Sequence, residues 1–586
     1  MEQVYLLQVW HMHQPVTQQM EWVESADKHA YQPLLKAYSK HPDIKFNFNA
    51  TGSLLDHLEN MDSPTVDLLK DCVKEGRAQP LTSPYYQPLV PLISEEYALA
   101  HLRKSNSRCK ELFGMLPKVA WVPERVYEPG VETVFQKSGV KAILLDDHLL
   151  FKAQPELKQS HLYSPHTIKG STVSVFNIDK EMRYLVPWTP VKDTFRYLRN
   201  VAKLGLRSPV VAYADDCEKM GEWPGSLGSH KWLSEFLLEL EKNKWVVPLT
   251  VEEYLELTGP GEEAVFSAGS YPEMEKWCFG DIRNWLRHPV VKPMFERMSL
   301  ATAAEPNDNL LKAQANDPYW YARTMTYHRQ VIYSSIIAGN PEASGERVLS
   351  NRYQNVFLNE LGEVETWDCK EEKLNLTNLG LYEWRAEEKH LAPDIFEMKR
   401  RTCVQDHFGS KSLDGLSPKV SFERKGNSIT FNIETEMVSY KKQYRLDQRW
   451  LRISYDFTKV GRPLEFSPNL CFTLRTDTPA TSVLPTHRYL FDYAGSNVDI
   501  QIADGDDGPG VCWAAVQDTL SGLQVVSMWR PGLITGLKRR VRSEGITVEP
   551  LIALARAMSV VLWVWLGYGG KDEPRRLWST QVTVGS

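Results

Sequence analysis

The sequence predicts a parallel α/β domain, wound either as a barrel or as an open sheet, then a helical segment and an antiparallel β-sandwich. Three observations carry this. Short apolar runs rich in β-branched and aromatic residues alternate with helical patterns from residue 1 to about 260. Two of those runs break abruptly onto acids: Pro209-Val210-Val211-Ala212-Tyr213-Ala214 onto Asp215-Asp216, and Lys118-Val119-Ala120-Trp121-Val122-Pro123 onto Glu124. Beyond Gly345 the pattern changes to alternating strands with turn signals between them.

In chain order, Val4 to Trp10 reads as a strand buried on both faces, running into His11-Met12-His13-Gln14-Pro15. A helical pattern over Tyr31 to Ser39, a strand over Ile44 to Phe48 and helices around Leu54 to Leu58 and Thr65 to Val73 follow. Pro80 to Pro91 is crowded with Pro and Tyr and reads as irregular. Glu95 to Phe113 has helical periodicity, and further strands are expected at Ala142 to Leu145 and Val173 to Ile178. Ser229 to Lys242 puts Trp232, Leu233, Phe236, Leu237 and Leu240 on one helical face, with Ser229 expected as its cap. Residues 263 to 345 read as helical, broken at Ala304 to Asn309 and again at Asn340 to Gly345. In the last part, strands at Val420 to Arg424 and Ser428 to Ile433 flank Lys425-Gly426-Asn427, a hairpin signal. Trp450 to Phe457, Cys471 to Leu474 and Val560 to Leu566 continue the strand pattern.

The bulk numbers narrow the function. With 586 residues, 42% hydrophobic, 24% charged and a net charge of -6, this is an ordinary globular composition with no electrostatic case for nucleic acid or anionic membrane. Met1-Glu2-Gln3-Val4 lacks a basic segment followed by an apolar one, so no secretory signal is visible and a cytoplasmic location is expected. The eight cysteines are scattered with no C-x-x-C pair, which fits buried thiols rather than a zinc site or a disulfide frame. The 18 Trp and 25 Tyr hint at flat surfaces for sugar rings, although aromatics also fill cores.

His11 and His13, two apart on a strand, face the same way. That pair fits a metal site, hydrogen bonding to sugar hydroxyls, or a structural role; Asp146, Asp147 and His148 would supply further ligands for the first. Glu124 and Asp216, each at a strand end, are the pair that two-carboxylate glycoside chemistry needs, while alone each also reads as an acid opening a helix. Asp215 and Glu218 beside Asp216 raise its proton affinity by like-charge repulsion. Asp317, in Gln314-Ala315-Asn316-Asp317-Pro318-Tyr319-Trp320, reads equally as a helix cap. Asp504-Gly505-Asp506-Asp507-Gly508 resembles a calcium loop but lacks the downstream Glu, so a tight hairpin turn is expected there.

Together these pieces resemble glycoside hydrolase family 57, in its 4-α-glucanotransferase and α-amylase branch. The motifs stand as His11-Met12-His13-Gln14-Pro15, Trp121-Val122-Pro123-Glu124, Asp216-Cys217-Glu218-Lys219-Met220-Gly221-Glu222-Trp223 and Gln314 to Trp320. Ser270-Tyr271-Pro272-Glu273-Met274 and Asp406-His407-Phe408 resemble the glucanotransferase branch. The resemblance implies a (β/α)7-type barrel over residues 1–262, a helical segment completing the cleft over 263–345 and a C-terminal β-sandwich over 346–586. It implies a retaining reaction on α-1,4-glucans with no metal and no other cofactor, with Glu124 as nucleophile and Asp216 as general acid/base. The two carboxyls would then lie about 5–5.5 Å apart. His11, His13, Trp121, Glu218, Trp223, Asp317 and Trp320 would line the sugar subsites. The implied partner is an α-glucan or maltooligosaccharide substrate, and a homodimer is compatible with it. Three positions depart from the family's substrate-lining motifs: Gln79 where Glu is usual, Gln87 where His or Glu is common, and Tyr321-Ala322 where His-Gly is common. Two rivals remain, a metal-dependent hydrolase built on His11 and His13 and a non-catalytic glucan-binding relative.

Overall fold

The structure, a computed structural model, describes residues 2–223, 225, 228–321, 326–377, 402–472, 498–502, 513–518, 523–530, 532–542, 545–568 and 577. Two compact units divide the chain: Met1–Trp285 with Gln314–Pro318, and Leu286–Ala313 with Tyr319–Ser586.

The first unit is the barrel. Its strands are β1 (Val4–Met12), β2 (Phe46–Ala50), β3 (Ala78–Pro80), β4 (Val119–Ala120), β5 (Ala142–Asp146), β6 (Ser174–Ile178) and β7 (Val210–Asp216). Parallel pairing runs β1–β2–β3 on one side, and β4–β5–β6–β7–β1 on the other. The ring closes just past β3. There the Thr82 N–H donates to the Val119 carbonyl at 3.0 Å, and the Trp121 N–H donates to the Thr82 carbonyl at 2.9 Å. Seven parallel strands in a ring make the (β/α)7-type barrel.

Period-two alternation sorts each strand into an outer and an inner face. Val4, Leu6, Trp10 and Met12 pack outward with the helices around Leu34, Leu54 and Trp232. Leu7 and Val9 pack inward with Val119, Trp121, Ala142, Leu144, Phe176, Ile178, Val210, Ala212 and Ala214. Continuing the inner row of each strand to its carboxyl end leads to His11 on β1, Asp146 on β5 and Asp216 on β7. Asp215 falls on the outer row. The strand Val246–Pro248 pairs with Val4–Leu6, so the helix that follows it, Val251–Thr258, lies at the floor. There Asn47 accepts the Val251 N–H at 3.0 Å.

Predicted helices appear at Glu95–Phe113 and Ser229–Lys242, but the second is not capped by Ser229. Gly228, in the left-handed region, takes the cap position, and the buried Ser229 hydroxyl has no hydrogen-bond partner among the described residues. A glycine costs little in that conformation, which a serine would have to strain to adopt.

The second unit opens with helices Val291–Ala301 and Asp308–Lys312 and continues through Thr326–Gly339 into antiparallel sheets. The expected hairpin is present, its strands Lys419–Lys425 and Ser428–Glu434 closing at the Lys425–Ser428 pair. The predicted late strand appears as Met558–Tyr568, at the centre of the larger sheet between Trp450–Val460 and Leu523–Trp529. In its core Asp406 accepts hydrogen bonds from Tyr440 at 2.6 Å and from Tyr455 and Lys442, each at 2.9 Å, so a buried charge is fully partnered. Asp504 to Gly508 and Cys512 lie outside the described residues; the other seven cysteines are buried thiols. Among the described residues no helix is long and apolar enough to cross a membrane.

Candidate active site

Register brings the inner-row residues together at the carboxyl rim. His11 is paired with Asp216 on one side and with Asn49 on the other, and its Nδ1 lies 2.9 Å from the Asn49 carboxamide oxygen. The His11 ring stacks on Trp121 at 4.4 Å and 9°. Trp121 leads straight into the turn carrying Glu124, so His11 stands beside the ends of both acid-bearing strands. Burial, then the charge of neighbouring His13, holds the His11 pKa well below the usual histidine value. The buried Trp121 indole N–H has no acceptor among the described residues.

Glu124 does not open a helix. It and Arg125 both take left-handed backbone angles, φ 49° and 51°, in a tight turn after β4. Two consecutive non-glycine residues in that region are held only where the surroundings impose them. The brace comes from far along the chain. The Ser270 hydroxyl donates to the Glu124 carbonyl at 2.5 Å, and the Tyr271 hydroxyl donates to the Glu124 carboxylate at 3.0 Å. Burial, and then the charges of Asp317 and Asp216, push the Glu124 carboxyl up to about 7.

Asp216 also sits above the usual aspartate range, through burial first and then Asp215, against the cations Arg125, Arg183 and Lys219. Asp215 holds two of those cations, Arg183 and Lys219, and Asp146 holds Arg125. Arg125, Asp146, Arg183 and Asp215 alternate at 3.4, 3.4 and 3.5 Å, and Lys219 closes the chain on Asp215. Burial acts upward on Asp215, but Lys219, Arg183 and Arg125 together keep its carboxyl below the ordinary value. Its Oδ1 accepts the Asp216 N–H at 3.0 Å, fixing the backbone that carries the inward acid.

His13 joins three segments. Its Nε2 lies 3.0 Å from Asp317, its Nδ1 2.9 Å from the Thr51 hydroxyl, and its N–H donates to Glu218 at 3.2 Å. Burial alone would lower its pKa, but Asp317, then Glu218 and Glu124, raise it. Glu218 accepts further hydrogen bonds from Tyr31 and, at 3.3 Å, from Gln14. Its carboxyl is pushed up to about 7 by burial and then by Asp216. Asp317 is brought to His13 by Asn316, whose side-chain amide donates to the Gln87 carbonyl at 2.5 Å.

Of the sequence-predicted residues, His11, His13, Trp121, Glu124, Asp216, Glu218 and Asp317 form this one cluster. Trp223 lies on the rim surface, 39% exposed. Trp320 belongs to the second unit, as does Tyr321. Gln79 is corrected: it does not line the rim, because its carboxamide oxygen accepts the Glu252 N–H at 3.2 Å on the barrel floor. Ser270, Tyr271, Arg183 and Thr51 were not expected as site residues; only the motif containing Ser270 and Tyr271 signalled two of them. Asp146, Asp147 and His148 go separate ways, to the two arginines, to the Lys180 N–H and to Glu275. Among the described residues no three His, Cys, Asp or Glu gather to hold a metal.

The raised acids make stability depend on pH. Glu124 and Glu218 move from an ordinary 4.5 to about 7, and the buried Asp179 moves from 3.8 to about 7. The unfolded chain releases these protons first, so their contribution is fully present below the ordinary values and is lost as pH rises towards 7. Glu124→Gln is therefore expected to unfold at higher urea than the parent at pH 8, by on the order of 3 kcal/mol, with the gap narrowing at pH 5. Parallel urea midpoints at both pH values would mean that Glu124 titrates as an ordinary acid.

Residues 8–266 match the sequence model of a family described as Glycosyl hydrolase family 57. The chain is 26% identical over 439 residues to Alpha-amylase 1 of Dictyoglomus thermophilum, covering 63% of this chain and 64% of that protein. It is 28% identical over 383 residues to the 4-alpha-glucanotransferase of Thermococcus litoralis, covering 58% of this chain and 57% of that protein. The chain thus spans less than two thirds of the length of either relative. The crystal structure of 4-alpha-glucanotransferase from Thermococcus litoralis superposes with a TM-score of 0.77 at 20% identity, over 96% of this chain and 100% of that one. That likeness is one of fold.

Proposed function

We propose, from the match of residues 8–266 to the model of glycosyl hydrolase family 57, that the chain is a retaining α-glucan-active enzyme, a 4-α-glucanotransferase or an α-amylase. The observation that carries this reading is the placement of both acids, Glu124 and Asp216, beside His11, which pairs with Asp216 and stacks on the Trp121 that leads into Glu124. They come from opposite stretches of the ring, β4 and β7, yet the charge of Asp216 raises the Glu124 carboxyl. Two carboxylates converging beside a stacked histidine–tryptophan pair suit one glycosidic linkage held between them.

In this mechanism Asp216, whose proton affinity burial and Asp215 raise, gives its proton to the leaving glycosidic oxygen. Glu124 attacks the anomeric carbon as that bond breaks, forming a glycosyl ester. Asp216, now ionised, takes a proton from water or from a sugar hydroxyl, whose oxygen then displaces Glu124. His13, Asp317 and Glu218 hold the sugar hydroxyls around this centre, and Trp121 offers its free indole N–H.

Incubation with maltotriose, with products separated by length, tests the reading. Longer products are expected for transfer, and only shorter ones for hydrolysis. No turnover of maltotriose or of longer maltooligosaccharides would overturn it.

A further inference from the structure

Six aromatic side chains of the first unit are more than a third exposed: Trp22, Tyr184, Trp188, Trp223, Trp277 and Phe279. Four of them lie in segments leaving the carboxyl ends of β1, β6 and β7. The other two lie just after the Ser270-Tyr271 brace. The exposed side chains Leu116 and Leu204, in segments approaching β4 and β7, and Leu257, in the floor helix, are aliphatic instead. Among the described residues of the first unit, the exposed rings thus all lie in segments that follow the carboxyl ends of strands or the brace.

Three of these rings connect to the site through named contacts. Tyr184 donates its hydroxyl to Glu273 in the helix Pro272–Trp277. Trp277 stands one turn beyond Glu273 on that helix and meets Tyr271 edge-on at 6.1 Å, and Tyr271 in turn binds Glu124. Trp188 lies 5.9 Å from the ammonium of Lys219, the cation that holds Asp215. The Lys180 ammonium lies 6.0 Å over the Tyr184 ring. Half-exposed flat rings interleaved with hydrogen-bonding charges match a chain of pyranose units, which offers apolar C–H faces and hydroxyl edges in turn. A purely apolar partner would leave Glu273 and Lys180 stripped of water.

We propose that Tyr184, Trp188 and Trp277 form a platform for an extended α-glucan chain, beyond the sugars that flank the cleaved bond. The identity of the ligand rests on the glucan activity proposed above. The test uses the full chain in two measurements. In native gels containing soluble amylose, Glu124→Gln protein, which keeps the platform, is expected to be retarded. Adding Tyr184→Ala and Trp188→Ala should weaken that retardation by about tenfold in apparent dissociation constant. In the otherwise unaltered enzyme the same pair should lower kcat/KM for amylose by about tenfold relative to kcat/KM for maltotriose. Tyr184→Phe with Trp188→Phe should largely restore both.

An unmoved ratio with unmoved retardation overturns the platform while leaving the activity reading standing. Retardation that depends on these rings in a protein that turns over no glucan supports the platform and sinks the activity reading. A shift in the size of the free protein on Tyr184→Ala/Trp188→Ala substitution would overturn the proposal by showing that the rings meet a second copy of the chain.

Discussion

Glu124→Gln is expected to lower maltooligosaccharide turnover by about 10⁴-fold or more while the barrel stays folded. The carboxamide cannot attack the anomeric carbon. The turn that carries it nonetheless keeps its support, because the Ser270 hydroxyl binds the backbone carbonyl and the Tyr271 hydroxyl still finds a side-chain oxygen. Two readouts separate a lost nucleophile from general damage. The same substitution should stabilise the protein at pH 8, as argued from its raised carboxyl, whereas a damaged fold would be less stable. In Glu124→Ala, added azide should restore turnover and yield a glycosyl azide of inverted configuration, because it attacks once from the vacated face. Turnover near the wild-type rate in Glu124→Gln would remove this residue from the reaction.

Asp216→Asn is expected to cost about 10²–10⁴-fold, the usual range for a lost general acid. The loss should depend on the leaving group. A maltosyl fluoride needs no proton to depart, so its first step should be nearly spared while maltotriose turnover collapses. In the wild type the rate is expected to fall with rising pH as Asp216 ionises, and in the variant that limb should disappear. Equal losses on the fluoride and on maltotriose would place Asp216 in holding the site rather than in proton transfer. Asp215→Asn is the instructive neighbour. Asp215 lies on the outer row of its strand and meets Arg183, Lys219 and the Asp216 backbone.

Much of this was legible in the sequence because strand periodicity is a strong local signal. The alternation Val210, Ala212, Ala214, Asp216 against Val211, Tyr213, Asp215 separates the two adjacent acids, inward and outward, once the run is known to be a strand. His11 follows from β1 in the same way. What stayed hidden depends on contacts distant in sequence or on unusual backbone. Nothing in Pro123-Glu124-Arg125 announces two left-handed residues, since neither is glycine or asparagine, and the acid after Pro123 reads as the start of a helix instead. Arg183 gives no local hint that it bridges Asp146 and Asp215. The Ser229 cap failed because a competing glycine one residue earlier adopts the turn at lower cost. The resemblance puts Gln79 in a substrate-lining motif, yet its side chain meets the Glu252 N–H at the barrel floor, a contact between segments far apart in sequence.

The two-residue strand β4 and its distant brace have a consequence for how this protein comes into being on the ribosome. All seven strands have been synthesised by Asp216, and the ring can close from that point onward. Ser270 and Tyr271 follow more than fifty residues later. At that intermediate length every strand of the ring is present, while the turn carrying Glu124 has not yet met its brace. The turn after β4 can therefore take its final form only once the segment that carries Ser270 and Tyr271 has folded back onto it.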